Sequence, residues 1–296
     1  MVAVMKTLDG RVAIITGAGR GIGREHALLF AAEGARIVVN DLGGANDGTG
    51  ADVTPAQEVV AQIRAMGGEA VVNGDNVADW QGAQRLINSA IEAFGDLDIL
   101  VNNAGILRDR VLVNMTEEEW DAVIAVHLKG HFAPTKWAAA YWREQIKAGI
   151  NKPRNVVHTS STSGLFSNPG QGNYGAAKSG IATFSQIAAK ELVRYNVKSN
   201  CIAPGARTRL TLATPGLPDI MAPKAGAFDM WDPANISPLV AYLATADCPF
   251  TGETFFVQGG NVTRVDTWAM GDKVEQQERW TVEALGAALA TLPKRD

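Results

Sequence analysis

The sequence predicts an α/β fold in one domain, a doubly wound parallel sheet of about seven strands with helices on both faces. Three observations carry this. Short β-branched and aliphatic runs alternate with longer helix-period segments. The strand runs are apolar throughout, as in strands covered on both faces. No linker or composition shift divides the 296 residues, 46% of them hydrophobic, so a single core of ordinary size is expected across 1–296.

Taken in order, Val12–Thr16 reads as a buried strand and Ile22–Glu33 as the helix that returns from it. Arg36–Asn40 is the second strand. A helix over Ala56–Met66 leads to a strand at Ala70–Asn73, and Trp80–Phe94 to a strand at Ile99–Val101. A long helical region covers Glu117–Ala148, with Pro134 inside it. Proline lacks the N–H and crowds the preceding turn, so a kink or break is expected there. Asn155–Thr159 is a strand, Tyr174–Arg194 a helix, Lys198–Ile202 a strand, Ser237–Ala246 a helix and Thr254–Val257 the seventh strand. Right-handed crossovers then give the doubly wound arrangement. Two stretches stand outside this pattern. Leu42–Val53 is a Gly- and Asp-rich loop longer than most strand-to-helix connections. Residues 262–296 form a tail whose Trp268, Trp280, Leu285 and Leu289 suggest docking on an apolar surface.

Composition narrows the function classes. Lys and Arg number 27 against 31 Asp and Glu, a net charge of −4, so the chain lacks the basic excess of a nucleic-acid binder. No apolar run approaches the roughly 18 residues of a membrane span. Cys201 and Cys248 lie far apart and suggest free thiols in a reducing cytoplasm rather than a disulfide or metal site. The chain ends Lys294-Arg295-Asp296, without a peroxisomal Ser-Lys-Leu address. A free-standing cytoplasmic protein with no metal is expected.

The first chemistry-bearing motif follows the first strand: Thr16-Gly17-Ala18-Gly19-Arg20-Gly21-Ile22-Gly23. Glycines let the backbone approach a pyrophosphate, and the following helix offers free N–H groups and a positive dipole end. Ile22 stands where the common G-x-G-x-x-G would have its third glycine, so the spacing is G-x-x-x-G-x-G over Gly17, Gly21 and Gly23. The expected fold is therefore Rossmann-like. Asp41 ends the second strand, 18 residues past Gly23. Its carboxylate suits the adenosine ribose hydroxyls and repels a 2′-phosphate. Arg20 pulls the other way, because a guanidinium in the glycine loop can reach such a phosphate. Asp41 would occupy the phosphate's place, so NAD is preferred over NADP.

The second constellation is Ser161, Tyr174 and Lys178. Tyr174 and Lys178 are four apart on a helix and share a face. Alcohol oxidation needs a base for the hydroxyl proton as hydride leaves the carbon. A free tyrosine is almost wholly protonated at neutral pH, and a nearby ammonium together with the positive nicotinamide ring favours its phenolate. A serine hydroxyl after a strand can hold the substrate oxygen.

With these motifs the chain resembles the short-chain dehydrogenase/reductase family over about residues 8–260. The resemblance implies further roles. Asn102-Asn103-Ala104-Gly105 matches the stretch that flanks the cofactor. Asp75, with Asn76 and Val77 behind it, matches the aspartate that meets the adenine amino group. Pro204-Gly205 and Thr208 match the turn and threonine at the nicotinamide end. Thr251-Gly252 and Gly259-Gly260 match the C-terminal strand region. One departure stands out. Where the family carries an asparagine that completes a proton relay, this chain has Val126-His127-Leu128-Lys129-Gly130. His127 either relays protons or packs the helix.

A closer resemblance is to the (3R)-hydroxyacyl-CoA dehydrogenase domain of multifunctional β-oxidation enzymes, carried by Asn103–Arg110, Val126–Gly130 and Asn40-Asp41-Leu42-Gly43-Gly44 with its long loop. It implies NAD-linked oxidation of a 3-hydroxyacyl-CoA thioester with a fatty-acyl or steroid side chain. The segment 207–233, with Leu210, Leu212, Leu217, Ile220, Met221, Phe228, Met230 and Trp231, is expected to form an apolar substrate lid. Open alternatives are a terpene-alcohol, hydroxysteroid or 3-oxoacyl-carrier-protein reductase and, from another class, a non-catalytic dinucleotide-sensing module. The helices around Val123–Arg143 and Ala176–Arg194 are expected to pair with copies of the chain in a homodimer or homotetramer.

Overall fold

Among the described residues eight strands build one sheet: β1 (Val12–Thr16), β2 (Arg36–Asn40), β3 (Ala70–Asn73), β4 (Ile99–Asn102), β5 (Arg154–Thr159), β6 (Val197–Gly205), β7 (Thr254–Gln258) and β8 (Asn261–Arg264). Their spatial order is β3-β2-β1-β4-β5-β6-β7-β8. β1 pairs in parallel with both β2 and β4, so the winding reverses there, and ligand crevices open at the carboxyl ends of strands at such a point. The computed structural model describes residues 6–212, 217–224, 226–266 and 268–294.

β1, β4 and β5 are buried at every position, as strands covered by helices on both faces are; β5 buries Arg154, Asn155, His158 and Thr159 beside its two valines. One face is covered by α1 (Gly21–Ala32), α2 (Thr54–Ala65) and α10 (Ser237–Leu243), with Ile15, Phe30, Ile37 and Ile63 at its centre. The other is covered by α3 (Trp80–Phe94), α5 (Gly130–Lys147) and α7 (Gly172–Leu192), around Ile14, Leu86, Trp142 and Leu192. The remaining helices are α4 (Glu117–Ile124), α6 (Thr162–Phe166), the short α8 (Arg209–Leu212) and α9 (Leu217–Ile220), and α11 (Val282–Leu289).

The seven expected strands are present, and the structure adds an eighth. β8 takes up the first residues of the stretch read as tail and pairs antiparallel with β7. β6 runs three residues further than expected, so Pro204-Gly205 ends a strand instead of forming a turn. Past Ile202 its pairing continues only with β7, and a proline is tolerated where one side of the strand is unpaired.

Pro134 does not break the helix. α5 runs through it, and the departure from α geometry lies one turn earlier, in a π-helical stretch at Ala125–Lys129. Such a bulge inserts a residue into the helical ladder and re-aims its side chains. His127 sits in this bulge.

Residues 266–296 form a compact unit of their own. Its helix α11 is capped by Thr281, whose Oγ1 accepts from the Ala284 N–H at 3.1 Å. In the expected lid 207–233, residues 213–216 and 225 lie outside the described residues, as do 267 and 295–296 of the tail.

Candidate active site

Ser161, Tyr174, Lys178, His127 and, apart from Gly19, the expected cofactor-binding residues line one cleft of about 610 Å³ at the carboxyl ends of the strands. At one end lies the glycine loop. A Cβ on Gly17 would stand 2.8 Å from Ala104 Cα, and one on Gly23 would stand 2.2 Å from the Gly17 carbonyl oxygen. Side chains are sterically impossible there, so the backbone itself forms the cradle. Asn103 ties the loop to β4. Its Nδ2 donates to the carbonyls of Thr16 (3.0 Å) and Gly17 (3.3 Å), and Thr16 Oγ1 accepts from the N–H groups of Asn103 and Ala104. Arg20 is the exposed residue that precedes α1, Ile22 and Gly21 line the wall, and a Cβ on Gly21 would stand 3.6 Å from Thr208 Cγ2.

Gly19 is buried behind this wall. Its N–H donates to Asp41 Oδ2 at 2.7 Å, and the Gly43 N–H donates to Oδ1 at 2.6 Å. Gly19 therefore positions Asp41 instead of facing the cleft. Nearby, Asp75 accepts from Arg85 Nε (2.8 Å) and Asn73 Nδ2 (2.9 Å). Asn76 and Val77 continue that wall, and Pro204 and Gly205 line it opposite.

The long loop 42–53 closes on itself. The Asp52 N–H donates to the Leu42 carbonyl at 3.0 Å, and Gly43 has φ +75° and no room for a Cβ against Asp52. The loop then docks on the cleft rim. Its Asn46 and Asp47 carbonyls accept from the Leu107 N–H (2.9 Å) and Arg108 Nε (2.8 Å), and Asn46 Nδ2 donates to the Arg209 carbonyl at 3.2 Å.

At the far end the strand β5 delivers Ser161, which caps α6, and α7 delivers Tyr174 and Lys178. Gly164 allows α6 to lie against α7, since a Cβ there would stand 2.6 Å from the Lys178 backbone. Lys178 is 2% exposed, and its Nζ donates to the Thr159 carbonyl at 2.6 Å, 5.5 Å from the Tyr174 ring centre. Burial pushes Tyr174 up to about 12, against the pull of a hydrogen bond from Ser161, and the nearby Asp109 carboxylate raises it further. Burial also lowers Lys178 to about 7. Desolvation thus favours the protonated phenol, and it is against this that the two positive charges expected beside it, the Lys178 ammonium and the nicotinamide ring, would act.

His127 fills the space that Gly105 leaves, since a Cβ on Gly105 would stand 2.5 Å from its ring. The ring meets Tyr174 edge-on at 5.1 Å, and its Nε2 lies 2.8 Å from the Ile106 carbonyl oxygen and 3.1 Å from the Ile106 N–H nitrogen. Burial lowers it to about 3, so it is neutral at working pH.

Sequence reasoning passed over Gln171, which lines the cleft and donates to Asp109 Oδ2 at 2.8 Å. The run Asn168–Tyr174 sits at the start of a helix beside the base, which is the signal that marks it. Of the expected lid residues, Leu210, Leu217, Met221 and Trp231 face the cleft, while Leu212, Ile220, Phe228 and Met230 are exposed. Arg207 pairs with Asp229 and so joins the two ends of that segment.

A family model described as short chain dehydrogenase matches residues 11–213. A hydroxyacyl-CoA dehydrogenase of Mycobacterium tuberculosis is 45% identical over 262 residues, 87% of this chain and 80% of that one. A peroxisomal multifunctional enzyme type 2 of Drosophila melanogaster is 47% identical over 257 residues, 87% of this chain but only 40% of that longer protein. The crystal structure of a short chain dehydrogenase from Mycobacterium avium superposes with a TM-score of 0.85 at 51% identity, covering 96% of this chain and 94% of that one.

Proposed function

The chain belongs to the short-chain dehydrogenase family, and on that premise we propose that it uses NAD to interconvert a 3-hydroxyacyl-CoA thioester, with a fatty-acyl or steroid side chain, and its 3-keto form. The reading rests above all on one observation: Ser161, Tyr174 and Lys178 line the same cleft as Asp41 and the glycine cradle. The cradle fits a dinucleotide because its backbone approaches closer than any side chain would allow. Gly17, Gly21 and Gly23 would hold the pyrophosphate, Asp41 the adenosine ribose, Asp75 the adenine amino group, and Lys178 the nicotinamide ribose.

When bound, the nicotinamide takes or gives the hydride and brings a positive charge to the site. The chain supplies the rest. Tyr174 Oη takes the hydroxyl proton of the alcohol, Ser161 Oγ holds the substrate oxygen, and Lys178 keeps the phenolate stable. His127 keeps a free Nδ1 beside Tyr174, which supports the relay role over simple packing. Leu210, Leu217, Met221 and Trp231 suit an apolar acyl or ring system. Asp41, collared by two N–H donors, supports NAD over NADP. The relatives' names favour the thioester. We place the enzyme in the cytoplasm, as its two buried thiols suit a reducing compartment. We infer a homodimer or homotetramer through α4, α5 and α7, which leave Trp120, Phe132 and Ile187 exposed.

The test is a panel of acyl-CoA thioesters, steroid thioesters, cyclic terpene alcohols and carrier-protein thioesters, each with NAD and NADP. Thioester oxidation with NAD is expected to lead. NADPH-linked reduction outpacing it would move the reading to a carrier-protein or terpene reductase. Tyr174→Phe is expected to lose roughly 10²–10⁴-fold in kcat with folding intact, and wild-type turnover in that variant would end the assignment.

A further inference from the structure

Two arginines stand two residues apart in the lid and are used differently. Arg207 pairs with Asp229 and donates from Nη1 to the Met221 carbonyl at 2.7 Å, so its charge is matched inside the lid. Arg209, on α8, lines the cleft. Among the described residues its guanidinium makes no ion pair, and its one hydrogen bond runs from Nη2 to the Gly44 carbonyl at 3.3 Å. Nε and Nη1 have no protein partner among those residues.

The backbone sets this residue at the glycine cradle. Two threonines build the turn by capping each other: the Thr208 N–H donates to Thr211 Oγ1 at 2.7 Å, and the Thr211 N–H donates to Thr208 Oγ1 at 3.2 Å. Thr208 thereby stands above Gly21, where a Cβ would come 3.6 Å from its Cγ2. The Arg209 carbonyl accepts from Asn46 Nδ2 at 3.2 Å, which ties the same turn to the loop 42–53. The guanidinium therefore enters the cleft at the cradle, beside the loop that follows Asp41.

Its charge is not matched there. Burial, and after it the nearby Arg20 guanidinium, lowers the Arg209 pKa from its ordinary value, while Asp41 raises it. Asp41 has both oxygens engaged by the N–H groups of Gly19 and Gly43, and Arg20 is itself close to Asp52. A guanidinium does not deprotonate at working pH, so the mismatch is met by an anion and not by loss of a proton. One arginine comes from the lid and the other from the residue before α1. Planar forks of this kind match the oxygens of a phosphate. A pyrophosphate resting on the N-terminus of α1 would lie within reach of both.

We propose that Arg209 binds the pyrophosphate of the dinucleotide from the lid side, so that the nucleotide fastens α8 over the cleft. This rests on the reading of the glycine cradle as a dinucleotide site. The pair forms only with the nucleotide seated and α8 in place. The nucleotide therefore favours the closed lid by as much as Arg209 strengthens nucleotide binding. The adenosine part alone offers Arg209 no such contact, and a 2′-phosphate is not required.

The experiment measures binding and lid protection without turnover. Calorimetric titration, carried to millimolar ligand, gives Kd for ADP-ribose, 2′-phospho-ADP-ribose and adenosine in the wild type and in Arg209→Gln. Hydrogen exchange over residues 206–212 is followed with and without ADP-ribose. In the variant the Kd for ADP-ribose is expected to rise by roughly ten- to a hundredfold, with the Kd for adenosine unchanged. The protection that ADP-ribose gives residues 206–212 in the wild type is expected to be lost. Arg209→Lys keeps the charge but not the fork, and is expected to fall between the two. The ligand-free variants are expected to melt with the wild type, because the side chain is exposed. Equal weakening of ADP-ribose and adenosine would make Arg209 a packing residue of the lid and overturn the proposal. A loss confined to the 2′-phosphorylated ligand would overturn it as well. A wild type that binds none of the three ligands overturns the dinucleotide reading and the proposal with it, whereas ADP-ribose binding that is indifferent to Arg209 sinks the proposal alone.

Discussion

At Asp41 the sequence supplies the residue and the structure supplies its collar. Two N–H groups, from Gly19 and Gly43, hold both carboxylate oxygens, so the charge is fixed at the cleft wall. Asp41→Ser removes that charge and leaves Arg20 in the wall. The ratio of kcat/KM for NAD to that for NADP is expected to fall by roughly tenfold or more, where tenfold corresponds to about 1.4 kcal/mol; an unchanged ratio would detach Asp41 from cofactor choice. Gly105 gives a second prediction. With His127 Cε1 at 2.5 Å from the place of a Cβ, Gly105→Ala must push the imidazole off Ile106. A cost of about 1–3 kcal/mol in urea unfolding is expected, together with reduced turnover. Such residues were legible in the sequence to different degrees. Gly17 and Gly23 were, because a backbone cradle tolerates no other residue. The bond by which Gly19 fixes Asp41 was not, since it depends on a carboxylate 22 residues away. The protonation of Tyr174 was not legible, because burial decides it and burial belongs to the folded chain.

Among elements, the seven parallel strands were legible because each carries a short aliphatic stretch between helix-period segments, even where polar residues flank it as in β5 and β6. β8 was not, since all four of its residues are exposed and its pairing with β7 leaves no apolar signature. The π-helical stretch at Ala125–Lys129 was invisible for a different reason. Periodicity sees an average turn and not one inserted residue, and Pro134 drew attention to the wrong place. The loop 42–53 was recognisable by length and glycine content, but its closure was not. That closure depends on Gly43, where a side chain would collide with Asp52 and where φ is +75°. Gly43→Ala is therefore expected to open the loop base and free the rim contacts of Asn46 and Asp47 with Leu107 and Arg108. Limited proteolysis within residues 44–51 should accelerate, and the cofactor Kd should rise by about tenfold. The melting temperature should move little, because no strand or core helix is touched. Equal protease resistance in the two proteins would mean that the loop is held by its rim contacts alone.

For the molecule as a whole, the histidines set the response to acid. The chain has four, and all four are buried: His26, His127, His131 and His158. Burial lowers His26, His127 and His158 to about 3, and His131 well below the ordinary value. The folded protein keeps these rings neutral, while the unfolded chain protonates them at about 6.5. Below that pH the unfolded state binds more protons, so unfolding becomes easier as pH falls. The stability they contribute is complete above about pH 6.5 and is lost progressively toward pH 3. Lys178, lowered to about 7, has its stability loss between about pH 10.5 and 7 and adds little slope below that. Carboxylates held low by partners, such as Asp96 and Asp229, act at lower pH, near 4. The window from pH 6.5 to 5.5 therefore belongs to the histidines. Each is expected to cost about 1.4 kcal/mol by pH 5.5, on the order of 5 kcal/mol for the four together. The urea midpoint should drop steeply between pH 7.5 and 5.5 at constant ionic strength. His131→Leu/His158→Met should halve that drop, because it removes two of the four proton sites. A midpoint that stays level across the window would mean that the rings are protonated in the folded state as readily as in the unfolded chain.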